Sequence, residues 1–190
     1  MKKTKEITKK RTNRKKLESK FLTELKNSLK LKYSKSCHWI KIPDTPLQEK
    51  QEDGSYKRTM LRFGLKKPYD VSMTLNGTAW GIEGKVFDKD KHWKFEKVTE
   101  EQYENLRLNA LAGGISCVIV YVHHAEEPFA AIIEVDPSIP YSTLTENVKY
   151  TIEDMEENCD KLYLNSSLGI KVKDNGRWAV SYFGRRSGIE

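Results

Sequence analysis

The stretch YDVSMTLNGTAWGIEGKVF, residues 69–87, decides how the chain is read. At its centre Asn76-Gly77 is a dipeptide suited to a two-residue type I′ turn, in which both central residues take positive φ. The runs on either side, VSMTL and WGIEGKVF, are β-prone, so the stretch is expected to form an antiparallel hairpin. On a strand, positions i and i+2 share a face, which puts Glu83 and Lys85 together on the second arm. Asp70 stands at the start of the first arm. Two carboxylates and a lysine on neighbouring strands thus become candidates for one site, and strand register decides how near Asp70 comes to Glu83.

Working outward, TMLRFGL is a third β-prone run, and SCHWIKIP alternates like a strand before stopping at Pro43 and Pro46. Between them lies a polar stretch with Asp53-Gly54 as a turn signal. Toward the N-terminus, Leu17, Phe21, Leu22, Leu25 and Leu29 recur at helical spacing and predict an amphipathic helix over residues 15–31. Glu18 falls near the middle of that apolar stripe, where a carboxylate costs free energy unless it is paired, protonated or bound to a cation. Downstream, VTEEQYENLRLNALAGG predicts a helix with Thr99 as N-cap and Gly113-Gly114 as its stop. Thr99-x-x-Gln102 fits a capping box, and Gln102 is also a candidate neighbour of the site. ISCVIVYV, continuously apolar, is expected to be a central strand buried on both faces, and FAAIIEV another strand. Residues 145–162 are expected to be one acidic helix, and GIKVKDNGRWAVSYF a closing hairpin turning at Asp174-Asn175-Gly176. The order implies an α+β domain with a mixed sheet flanked by helices, spanning residues 17–190.

The net charge of +7 is unevenly placed. Residues 1–16 hold nine Lys or Arg against Glu6 alone, a local charge of +8, and the remaining 174 residues sum to −1. Such a block is expected to be a disordered basic arm whose partner is a polyanion, nucleic acid before membrane because the arm has no apolar face. Candidate DNA contacts are Lys9, Lys10, Arg11, Arg14, Lys15 and Lys16 in the arm, and Lys57, Arg58, Arg62, Lys66 and Lys67 just before Asp70. With no long apolar run and no signal-peptide pattern, a soluble, intracellular, nucleoid-associated protein is expected. Cys37, Cys117 and Cys159 are odd in number, form no C-x-x-C pair and are expected to be reduced packing thiols. The four tryptophans are expected to pack, with base stacking open for Trp93 in the basic KDKHWKF. His123 and His124, adjacent at a strand end, should face opposite ways and form no joint site.

The Glu-x-Lys string alone says little. With 18 Glu and 26 Lys in 190 residues, two to three such strings are expected by chance, and three occur, at Glu18, Glu24 and Glu83. The first two lie in the predicted helix, where i and i+2 diverge by about 200°. Only Glu83 and Lys85 share a face. Two carboxylates suffice to hold Mg²⁺, which keeps several waters and takes substrate phosphate oxygens. A nearby lysine can orient the attacking water or stabilise developing negative charge, and Gly84 leaves its carbonyl unshielded as a further ligand. A cross-strand salt bridge explains the same spacing with no chemistry at all.

Asp70 and Glu83-Gly84-Lys85 on successive strands, preceded by a helix with Glu18 and followed by a helix with Gln102 and the strand ISCVIVYV, resemble the PD-(D/E)xK nuclease superfamily. HWIKIPDTP, IEGK, EEQYENL and AGGISCVIVYV look like segments of RecU-type Holliday junction resolvases, over residues 18–122. Where RecU-like enzymes carry Thr before the aspartate, Tyr after it and His before the glutamine, this chain has Tyr69, Val71 and Glu101. The resemblance implies a restriction-endonuclease-like fold and Mg²⁺-dependent cleavage of branched or duplex DNA by a homodimer, with Mn²⁺ as a substitute. It further implies that Asp70 and Glu83 bind the ion, Lys85 supports the attacking water, Glu18 aids the metal site and Gln102 borders it. Two other readings stay open: a nuclease for other DNA structures, and a non-catalytic nucleic-acid-binding module with a nuclease-like core.

Overall fold

The computed structural model describes residues 2–42, 48–50, 56–58, 68–87, 92–163 and 178–189. In chain order these give helix α1 (Lys2–Tyr33) and strands β1 (Cys37–Lys41), β2 (Gln48–Lys50), β3 (Tyr56–Arg58), β4 (Val71–Leu75), β5 (Thr78–Val86) and β6 (Trp93–Lys94). A 3-10 turn over Phe95–Lys97 leads to helix α2 (Glu100–Leu111), β7 (Ile115–Val122) and β8 (Phe129–Glu134). The last part holds α3 (Tyr141–Asn147), β9 (Lys149–Tyr150), α4 (Ile152–Asn158), β10 (Asp160–Tyr163) and α5 (Ser181–Arg186). Six strands form one mixed sheet in the order β1-β4-β5-β7-β8-β10, parallel between β5 and β7 and antiparallel elsewhere. The chain is an α+β protein with this sheet flanked by helices.

The central hairpin forms as its turn chemistry requires. Asn76 (φ 48°) and Gly77 (φ 79°) both take positive φ, and the register pairs Val71 with Ile82. A parallel neighbour needs a crossover, and α2 supplies it between β5 and β7. β7 is buried on both faces because it lies between two layers. Cys117 and Ile119 join Phe21, Leu25 and Leu29 on the α1 side, and Val118, Val120 and Val122 join Tyr103 and Leu106 on the α2 side. Each fully buried Leu of α1 stabilises by roughly 2 kcal/mol.

Glycines set how closely the helices approach β5. A Cβ on Gly84 would stand 3.1 Å from both δ-carbons of Leu22, and one on Gly81, toward the other layer, 3.3 Å from Leu106 Cδ2. Gly84→Ala must therefore push Leu22 aside by a few tenths of an ångström. It is expected to destabilise by about 1–2 kcal/mol, read as a lower denaturant midpoint at unchanged m-value.

Several expectations need correction. α1 starts at Lys2, so residues 2–16 continue the helix where a disordered arm was expected. Lys, Arg and Glu are good helix formers, no Gly or Pro interrupts the run, and the packed half supplies the nucleus from which helix propagates. The polar stretch before Asp70 contains a two-stranded pairing of β2 with β3, and residues 51–55, with Asp53-Gly54, lie outside the described residues. TMLRFGL lies outside the described residues, as does the turn at Asp174-Asn175-Gly176.

Residues 145–162 are not one helix. Lys149–Tyr150 pairs with Trp93–Lys94, Thr151 and Asp154 build a fresh capping box for α4, and Leu162 pairs with Ala130 in the main sheet. Ser181 onward is helix rather than strand, because Phe183 and Tyr182 pack edge-on against Trp80, with ring centroids 5.0 and 6.2 Å away. All four tryptophans are buried. Trp93 is fully so, which rules out the base-stacking alternative. The three cysteines are free, as expected.

Candidate active site

Continuing the β4–β5 register by one pair sets Asp70 opposite Glu83. Ile82 faces the α1 layer, so alternation along β5 turns Glu83 and Lys85 toward the α2 layer, and Asp70, just before β4, meets Glu83 and Gly84 through hydrogen bonds. Both carboxylates are nearly buried, Asp70 at 3 % and Glu83 at 1 % exposure. Buried carboxylates need hydrogen-bond donors, and the strand ends provide them. The Gly84 amide donates to Asp70 Oδ2 at 2.8 Å, and the Asp70 amide donates to Glu83 Oε2 at 3.1 Å. Each acid is thus fixed by backbone next to the other.

Lys85 closes the set. Its Nζ donates to Glu83 Oε1 at 2.7 Å and to Gln102 Oε1 at 3.2 Å. Gln102 sits at the third position of α2, where it completes the capping box: Thr99 N–H donates to Gln102 Oε1, and Gln102 N–H to Thr99 Oγ1. Its Nε2 also donates to Glu83 Oε1 at 2.5 Å. One side chain thus caps α2 and binds the β5 carboxylate. Asp70, Glu83 and Lys85 together carry −1 when ionised.

This donor set suits a hard divalent cation. Among the described residues no group of three or more His, Cys, Asp or Glu side chains is placed to hold a metal ion. An ion here would rest on Asp70 and Glu83 and fill its remaining positions with water, substrate phosphate or a backbone carbonyl such as that of Gly84, as Mg²⁺ commonly does. The softer ligands lie elsewhere, and burial pushes the Cys117 thiol far above its usual range.

Glu18 belongs to α1, the helix that packs on the sheet face opposite α2. It is half-buried on α1, one turn before Leu22, whose side chain lies against Gly84 from the α1 layer. Hydrogen bonds unite Asp70, Glu83, Gly84, Lys85, Gln102 and Thr99. Of the expected DNA contacts, Arg14, Lys15 and Lys16 are exposed on α1. Lys9, Lys10 and Arg11 occupy α1 positions, and Lys57 and Arg58 belong to β3. Arg62, Lys66 and Lys67 lie outside the described residues. His123 and His124 follow β7 in a turn, where strand alternation no longer holds, and their rings meet with centroids 3.5 Å apart.

One polar cluster had no signal in the sequence. Arg186 grips Glu134 with two hydrogen bonds, Nε to Oε1 at 2.8 Å and Nη2 to Oε2 at 2.7 Å, and the Tyr182 hydroxyl also donates to Glu134. Burial works to raise the Glu134 carboxyl, but Arg186 and Tyr182 hold it below its ordinary range. Its members are 48 and 52 residues apart in sequence, and together they tie α5 to β8. No protein-family model matches the chain, and no curated protein matches it.

Proposed function

We propose that the chain is a Mg²⁺-dependent DNA endonuclease with a restriction-endonuclease-like core, most like the RecU-type resolvases of branched DNA and working as a homodimer. The observation that carries the reading is the convergence of Asp70, Glu83, Lys85 and Gln102 in one nearly buried, hydrogen-bonded set at the end of the β4–β5 hairpin. A bound Mg²⁺ would supply Lewis acidity toward the scissile phosphate and lower the pKa of water. Asp70 and Glu83 present the oxygens that would hold it. Lys85, oriented by Glu83 and Gln102, keeps an ammonium donor beside them, positioned for an attacking water or for charge developing on phosphate. Gln102 fixes both neighbours by donating to one and accepting from the other.

The second reading, a nucleic-acid-binding module without turnover, draws on the Lys85–Glu83 contact, which is complete as a buried salt bridge in its own right. Incubation of the purified protein with four-way junctions and linear duplexes, with Mg²⁺ and with chelator, separates the two. Metal-dependent cleavage is expected, most strongly of the junction; absence of cleavage on every DNA would leave the binding module in its place.

A further inference from the structure

α1 is a single helix of 32 residues without Gly or Pro, and its second half carries the buried stripe Phe21, Leu22, Leu25 and Leu29. From residue 13 on, residues 13–16 are exposed, residues 17–19 half-buried, and Phe21 is the first buried side chain among these described positions. At 1.5 Å per residue, residues 2–16 add roughly 22 Å of helix ahead of the packed half. The start of the packed half lies at the end of the sheet that carries the carboxylates. Lys41 Nζ donates to Ser19 Oγ at 2.9 Å, Lys41 pairs with Val71 beside Asp70, and Leu22 lies against Gly84 beside Glu83.

The pattern of charge says what such a helix fits. At 100° per residue the nine basic positions between Lys2 and Lys16 fall on all sides of the axis. A helix that lies on an anionic membrane needs an apolar face opposite its basic one, and Ile7 is the sole apolar residue in this half. The major groove of B-DNA, about 12 Å wide, admits a helix and places phosphates on both flanks, where cations on every side find partners. The major groove of A-form RNA is too narrow. Basic pairs at i and i+4, such as Lys5 and Lys9 or Arg11 and Lys15, repel one another in the free helix, and a polyanion relieves that repulsion.

We propose that the N-terminal half of α1 enters the major groove of B-form DNA as a basic helix and so delivers the adjoining duplex to the Asp70–Glu83 end of the sheet. The proposal rests on the DNA reading of the function and deepens it by naming the groove and the element that occupies it.

The test compares binding, in chelator, to a plain duplex and to the same duplex carrying bulky uncharged groups on pyrimidine C5, which fill the major groove. The full chain is expected to bind the filled duplex at least about tenfold more weakly, a difference of about 1.4 kcal/mol. The combined variant Lys9→Gln, Lys10→Gln, Arg11→Gln, Arg14→Gln is expected to lose that discrimination and to lower the slope of log affinity against log salt by about 3 to 4. Asn13→Pro keeps every charge but breaks the helix; it should keep the slope and lose the discrimination. Equal affinity of the unaltered chain for both duplexes overturns the proposal whatever the variants do, as does tighter binding to anionic lipid vesicles than to duplex. Because chelator suppresses cleavage, the two readings fail separately. A chain that discriminates but never cuts DNA retires the endonuclease, and one that cuts without discriminating retires the groove helix.

Discussion

Asp70→Asn is expected to reduce metal-dependent DNA cleavage by on the order of 10³-fold or more and to leave DNA affinity in chelator within about threefold. The substitution is nearly isosteric. Asn Oδ1 can still accept from the Gly84 amide, so the contact that fixes position 70 against β5 survives. What is lost is one of the two negative charges that would hold the cation. Because Asp70 and Glu83 are both nearly buried and directly opposed, removing one charge also relieves like-charge repulsion. In chelator the variant should therefore melt at the same temperature as the parent or higher. A folded variant with undiminished cleavage would show that Asp70 holds no catalytic ion. A variant that merely unfolds would place Asp70 among structural residues, and neither result is what the hydrogen-bond pattern leads one to expect.

The parts of this fold that sequence reveals are those fixed by local rules. Asn76-Gly77 specifies its own turn, the turn specifies the β4–β5 register, and the register sets Asp70 against Glu83. Thr99 and Gln102 form the expected capping box because both of its hydrogen bonds lie within four residues. β7 could be read as central because a strand covered on both faces has no polar alternation. What sequence hides depends on distant partners. The short β9 exists because Trp93 lies beside Tyr150, and nothing within residues 145–162 announces that pairing. Thr151 and Asp154 do carry a local capping signal, the Thr-x-x-acid pattern of a new helix start. Tyr182 and Phe183 alternate like strand residues, but Trp80 offers them a helical packing site instead.

The candidate site divides along the same line. Period-2 alternation brought Glu83 and Lys85 together, and helical spacing set apart the two Glu-x-Lys strings of α1. Helical periodicity flagged Glu18 as misplaced on its stripe, yet could not say which face of the sheet that stripe covers. The answer lies in Leu22 against Gly84, a contact 62 positions long. Gln102 shows how one residue can serve local and distant demands together. Its amide oxygen closes the cap of α2 while its amide nitrogen reaches Glu83, so the helix start and the carboxylate hold each other in register.

Lys85→Met should produce the largest loss of stability of any single change in the cluster. Lys85 is 16 % exposed and Glu83 only 2 % by side chain, so solvent does little to screen the charge left behind. Removing one partner of a buried ion pair costs about 3–5 kcal/mol; donors from Gln102 and Asp70 remain on Glu83, which points to the lower end, about 3 kcal/mol. For a chain of this size that is a fall in Tm of roughly 6–12 °C. Adding Glu83→Gln removes the stranded charge, and the double variant should recover most of the loss, with a coupling energy of about 2 kcal/mol. Mg²⁺ then separates a structural salt bridge from a metal site. If Asp70 and Glu83 hold the ion, saturating Mg²⁺ stabilises the folded state by mass action, and it should raise the Tm of Lys85→Met more than that of the parent, because the ion restores positive charge that the lysine supplied. Melting temperatures that ignore Mg²⁺ in both proteins would mean that the lysine and the glutamate hold only each other.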